Sequence, residues 1–186
     1  MKRKVKVTVG KYPEILLHPN IPKPLHGLNP RTVMGAAWWD EMRFKAYEKY
    51  DNHCWACGVH RSQAHGRPGI LEAHEIYSID YVKGRMELME ISALCSWCHS
   101  YIHDGRLNML LEDGKVTQKQ YDRIMAHGEA VLKAAGCTML KPLYPEESVC
   151  AEWRKWHLVI KGKKLFTRFK DYDDWLENYR GFTCPV

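Results

Sequence analysis

The sequence contains no apolar run approaching the ~20 residues that a membrane-spanning helix needs, which excludes a helical membrane protein. Its basic start, Met1-Lys2-Arg3-Lys4, is followed by Val5-Lys6-Val7-Thr8-Val9, which alternates and lacks the apolar stretch that export requires. A cytoplasmic protein with no membrane partner is therefore expected. Internal repeats and low-complexity tracts are absent. Acidic residues are scarce in the first 31 positions, where Glu14 stands alone against Lys2, Arg3, Lys4, Lys6, Lys11, Lys23 and Arg31. The rest of the chain holds 21 residues of each sign, so the formal net charge of +6 belongs to that opening segment. A complete disulfide framework is excluded by the odd number of cysteines, seven.

Seven Trp, ten Tyr and four Phe supply apolar surface for a packed core and argue against disorder. Pro13, Pro19, Pro22, Pro24 and Pro30 crowd residues 11–30, a spacing that predicts an extended arm entered by a short strand at residues 5–9. At Asn29-Pro30 the pattern changes to a capped helix over residues 31–50, with Trp39, Met42, Ala46 and Tyr50 on its core face. Thr117 and Gln120 form a capping box for a second helix, which Gly136 ends. Residues 157–169 alternate around Lys161-Gly162-Lys163 as a β-hairpin, and Asp171 caps a short helix running to Tyr179. Residues 152–170 carry seven basic side chains and one acidic, a second basic segment that could meet a polyanion.

Four of the cysteines form two pairs, Cys54-x-x-Cys57 and Cys95-x-x-Cys98, separated by 37 residues. Each pair suits a tight turn that points two thiolates at one ion, and two such turns complete a tetrahedral shell. A structural Zn²⁺ with no open coordination position is expected, clamping together loops poor in apolar material. Cys137, Cys150 and Cys184 have no paired spacing and read as ordinary thiols.

Between and after the pairs lie Leu71-Glu72-Ala73-His74-Glu75-Ile76 and Cys98-His99-Ser100-Tyr101-Ile102-His103-Asp104-Gly105-Arg106. His99 and His103 are four apart, so on a helix they project from one face and can share an ion. A strand carrying His74 opposite that helix would complete three imidazoles around a second metal.

This order of motifs resembles the HNH endonuclease family, and most closely its zinc-knuckle members from bacteriophage genomes. The likeness covers residues 29–107 and includes the lead-in Asn-Pro-Arg, Trp-Trp-Asp, Arg and Tyr before the first knuckle. It implies an α+β fold: a small ββα-metal (HNH) core with a Cys₄ zinc site, flanked by helices and a C-terminal β-hairpin. The implied division is an extended basic, Pro-rich arm (1–30), the zinc-knuckle core (31–107), a helical extension (108–140) and a C-terminal hairpin and helix (148–186).

Carried onto this chain, the family's first motif position, a metal ligand, falls on His74, and the general-base position falls on Glu75. The central Asn position falls on Glu90; the last helix supplies His99, with His103 as a further ligand. Glu75 and Glu90 depart from the family's residue types. A carboxylate is a weaker base than imidazole near neutrality, so either Glu75 or His74 would activate water. Glu90 adds negative charge beside a hard ion. The function implied is metal-dependent hydrolysis of DNA phosphodiesters, with one catalytic divalent ion (Mg²⁺, Mn²⁺ or a transition metal). Arg106, Lys2, Arg3, Lys4, Lys161, Lys163 and Lys164 would hold DNA through phosphates. A phage-encoded enzyme would work in the bacterial host cytoplasm. The alternative is a catalytically impaired, zinc-stabilised DNA-binding module.

Overall fold

The computed structural model describes residues 8–137, 145 and 149–179. The expected strand at 5–9, most of the 141–147 linker, Cys184 and the cluster Lys2, Arg3, Lys4 lie wholly or mainly outside the described residues. The fold is α+β. Helices α1 (Pro30–Met34) and α2 (Ala36–Glu48) precede strands β1 (Glu72–Asp80) and β2 (Arg85–Leu94). Helices α3 (Ser96–Ile102), α4 (Asp104–Glu112) and α5 (Gln118–Ala134) follow. Strands β3 (His157–Ile160) and β4 (Lys163–Phe166) and helix α6 (Tyr172–Tyr179) complete the described elements. The four strands form one sheet in the order β1-β2-β3-β4. No helix among the described residues is long and apolar enough to cross a membrane.

The chain divides into two compact units. The first comprises Met1–Asn20, Arg43–His74 and Ile91–Pro142. Its core includes Leu16, Trp55, Leu94, Ile102, Val131 and Leu132, all fully buried or nearly so. The expected capping box is present: the Thr117 hydroxyl accepts from the Gln120 backbone N–H, and the Gln120 side chain accepts from the Thr117 N–H. Gly136, at φ 68°, ends the helical segment. Helix α5 packs on α3, and at the contact a Cβ on Gly128 would lie 2.2 Å from the Tyr101 ring. Gly128→Ala is therefore expected to destabilise the protein by about 1–3 kcal/mol through overpacking, although Ala is the better helix former. Chemical denaturation checks this through a lower midpoint at unchanged slope.

Residues 11–20 differ from the extended arm expected of their prolines. Pro13–Leu17 forms a 3₁₀ helix that buries Pro13, Ile15 and Leu16 and packs on α3 and α5. A 3₁₀ turn tolerates Pro at its first position because that N–H has no intrahelical partner.

The second unit comprises Ile21–Met42, Glu75–Glu90 and Leu143–Val186. A second 3₁₀ turn, Lys23–Leu25, places Leu25 in a core with Tyr77, Met86, Trp156, Leu158 and Ile160. Asn29 caps α1 as expected, its side chain accepting from the Thr32 N–H at 2.9 Å. The single helix expected over 31–50 is instead broken at Gly35, whose φ of 86° is left-handed and ends α1. Strand β3 runs parallel to β2, with Met86 opposite Leu158, and antiparallel to β4. The β3–β4 turn uses Lys161 and Gly162, both at positive φ, as a tight two-residue hairpin requires. Asp171 accepts from the Asp174 N–H, the expected cap of α6.

Candidate metal centres

In the first unit Cys54, Cys57, Cys95 and Cys98 lie together, all four buried, with their sulfurs within 4.8 Å of one another. The first knuckle turns between Cys54 and Gly58: the Gly58 N–H donates to the Cys54 carbonyl, and Gly58 has φ 71°. The second opens α3, with Cys95 preceding its first residue and Cys98 in its first turn. The Cys57 and Cys95 sulfurs are 3.8 Å apart. Hydrogen bonding with Cys54 and burial push the Cys57 and Cys98 thiols far above their ordinary range. Hydrogen bonds from Cys54 and the other two thiols pull Cys95 down. Such a cluster can hold a metal ion, and a cation removes the conflict by stabilising the thiolates together.

A layer that sequence reasoning missed lies beside this cluster. The His127 Nε2 is 3.4 Å from the Cys98 sulfur, and His65 and His127 approach Cys57 within the same 4.8 Å limit. Trp97 stacks on His65 with ring centroids 5.0 Å apart. Imidazole N–H groups beside buried thiolates offset their negative charge, the usual service of groups behind metal ligands.

The second constellation is His74, His99 and His103, whose ligand nitrogens also lie within 4.8 Å of one another. His74 comes from β1, His99 from α3, and His103 from the junction of α3 and α4. Ring centroids are 5.5 Å apart for His74 and His99, 5.0 Å for His74 and His103, and 4.7 Å for His99 and His103. His74 is 3% exposed, and neither of its ring nitrogens has a hydrogen-bond partner. Such an orphaned polar group is costly unless it ligates something. Burial, His103 and His99 hold the His74 pKa well below its ordinary value. Burial and then His99 push His103 down to about 3. Both shifts favour the neutral ring, the form that binds metals.

Glu72, which the sequence reading did not single out, orients this group. Its carboxylate accepts from His99 Nδ1 at 2.6 Å and from the Ser96 hydroxyl. Although burial works against ionisation, the bonds from His99 and Ser96 hold its carboxyl below the usual range. An ionised Glu72 fixes the His99 proton on Nδ1 and leaves Nε2 free to ligate. The available signal was the i, i+2 spacing of Glu72 and His74, which places both on one face of a strand. Glu72→Gln is expected to weaken binding of a divalent ion by the three imidazoles by about 10- to 100-fold. Competition against a chromophoric chelator reads this directly.

Glu75 is carried elsewhere. As the next residue of β1 it points to the opposite face from His74, and its charge acts on Tyr77, two positions on, helping burial to raise that phenol's pKa. Glu90 is half-buried on β2. Arg106 is exposed on α4; Lys161, Lys163 and Lys164 are exposed on the hairpin, with Lys161 also 5.7 Å from the Trp38 ring. Comparison with family models, with curated proteins and with solved structures finds no match in any of the three.

Proposed function

We propose that the protein is a metal-dependent endonuclease of HNH type that hydrolyses DNA phosphodiester bonds, its fold held by Zn²⁺ in the Cys₄ cluster. The observation that carries the reading is His74, buried with both nitrogens unpartnered beside His99 and His103. His74, His99 and His103 would hold the catalytic divalent ion, with Glu72 orienting His99 from behind. A set of three imidazoles favours a transition ion over Mg²⁺, which takes oxygen ligands. Bound there, the ion would polarise the scissile phosphate and stabilise the leaving 3′ oxygen. Arg106, exposed in the first turn of α4, would grip a flanking phosphate, and the lysines of the hairpin would add sequence-independent, salt-sensitive affinity. Resemblance to phage zinc-knuckle nucleases supports the same assignment.

The test is incubation of purified protein with supercoiled plasmid under Mg²⁺, Mn²⁺, Co²⁺, Ni²⁺ and Zn²⁺. Nicking is expected with a transition ion and is expected to vanish in His99→Ala. No cleavage under any ion, or cleavage indifferent to His99→Ala, would remove the enzyme reading. A second reading, a DNA-binding module that has lost catalysis, is favoured by the placement of Glu75 on the strand face away from His74. It predicts salt-dependent DNA binding without nicking.

A further inference from the structure

A fourth histidine faces the three-imidazole site from a segment that the family resemblance does not reach. His18 ends the Pro13–Leu17 3₁₀ helix, and its ring lies edge-on to His74 with centroids 5.3 Å apart. Its position is built. Ile15 and Leu16 are buried where this helix packs on α3 and α5, so His18 is anchored to the same helix that carries His99. The His18 N–H donates to the Ile15 carbonyl at 3.0 Å. Pro19 restricts the residue before it to extended backbone, and His18 sits there at φ −57°, ψ 132°. Its nitrogens fall outside the set of mutually close ligand atoms that His74, His99 and His103 form. The ring is therefore beside the three-imidazole group but outside its set of mutually close ligand atoms.

We propose that His18 is a substrate-contacting residue of this site: its imidazole N–H donates to an oxygen of the phosphate brought to His74, His99 and His103. The inference rests on the reading of that site as a nuclease centre. A phosphodiester at a three-imidazole site exposes oxygens that need fixed donors, and a donor held by a packed helix and a pre-proline backbone loses little freedom on binding. The 3₁₀ segment then acts as one wall of the active site, in contrast to a loose tether for DNA.

The experiment uses the full chain with its Cys₄ cluster zinc-loaded and the second site titrated with Co²⁺. Inorganic phosphate is then added, and its binding is followed through the Co²⁺ d–d absorption bands. His18→Ala is expected to leave Co²⁺ affinity within about twofold and to weaken phosphate binding about tenfold, the effect of one hydrogen bond to a charged group. His18→Asn, which keeps a donor, is expected to recover part of that loss, and nicking should fall in parallel. Wild-type protein that takes up no Co²⁺ would overturn the nuclease reading and this inference together. Co²⁺ uptake with equal phosphate affinity in wild type and His18→Ala, or with no phosphate binding at all, would overturn the His18 assignment alone. A tenfold or greater loss of Co²⁺ affinity in both His18 variants would make His18 a ligand and likewise overturn it.

Discussion

Cys98→Ser is expected to abolish cooperative folding of the unit that contains both candidate metal centres. Cys98 is fully buried in the first turn of α3, and its sulfur meets the other three thiols and His127. Structural Zn²⁺ contributes an apparent ~10–16 kcal/mol in small zinc-dependent folds, as much as or more than the ~5–15 kcal/mol net stability of an ordinary domain. A serine oxygen left among thiols loses a ligand and strands a buried hydroxyl. Metal analysis should show the variant lacking its structural zinc, and circular dichroism should show no sharp thermal transition. Cys137→Ser, at a half-buried position outside every cluster of possible metal ligands among the described residues, should stay within about 0.5 kcal/mol of wild type. An unchanged transition in Cys98→Ser would eliminate a structural ion. The second site should fail along with the first, because Cys98 and His99 are consecutive in α3 and His103 closes the same helix.

The two Cys-x-x-Cys pairs and the His99/His103 spacing were legible in the sequence because each is local and chemical, whereas His74, 25 residues before His99, joined the group through the resemblance and an assumed strand opposite that helix. A Cys-x-x-Cys pair can form a knuckle without help from the rest of the chain, and His99 and His103 share a face on any helix. Caps were legible for the same reason: Asn29, Thr117 and Asp171 each act on backbone groups three residues on. What escaped depends on partners distant in sequence. Glu72 acts on His99 only because β1 lies beside α3, and His18 reaches His74 only because Ile15 and Leu16 are buried against α3 and α5. The prolines of residues 11–30 were read through their veto on regular helix and strand. Single 3₁₀ turns escape that veto, and the burial of Leu16 and Leu25 makes them worthwhile. Gly35 was overlooked because a lone glycine in a helical pattern is often tolerated, whereas here it takes a left-handed conformation that ends the helix.

His74→Leu is expected to separate the two candidate metal centres: it should raise the stability of the protein in the absence of added divalent ions while abolishing any binding of a divalent ion by the three-histidine group. Both nitrogens of His74 are buried without partners, a condition that costs about 1–3 kcal/mol and that a leucine of similar size removes. The Ser92 hydroxyl bonds the His74 backbone carbonyl at 2.9 Å, so the substitution leaves that contact in place. Denaturant unfolding in the absence of added divalent ions should therefore show a gain of about 1–2 kcal/mol. Metal analysis should still find the structural zinc, because Cys54, Cys57, Cys95 and Cys98 keep their ligand set. On the proposed nuclease reading, plasmid nicking should fall about a thousandfold or more, since an ion held by the three imidazoles would supply several kcal/mol of Lewis-acid stabilisation and each 1.4 kcal/mol is about tenfold in rate. A variant that loses stability under these conditions would mean that the imidazole serves packing, and the three-histidine group would then be a structural feature in place of an ion site. Stability gained while activity is lost is the signature that burial alone does not produce.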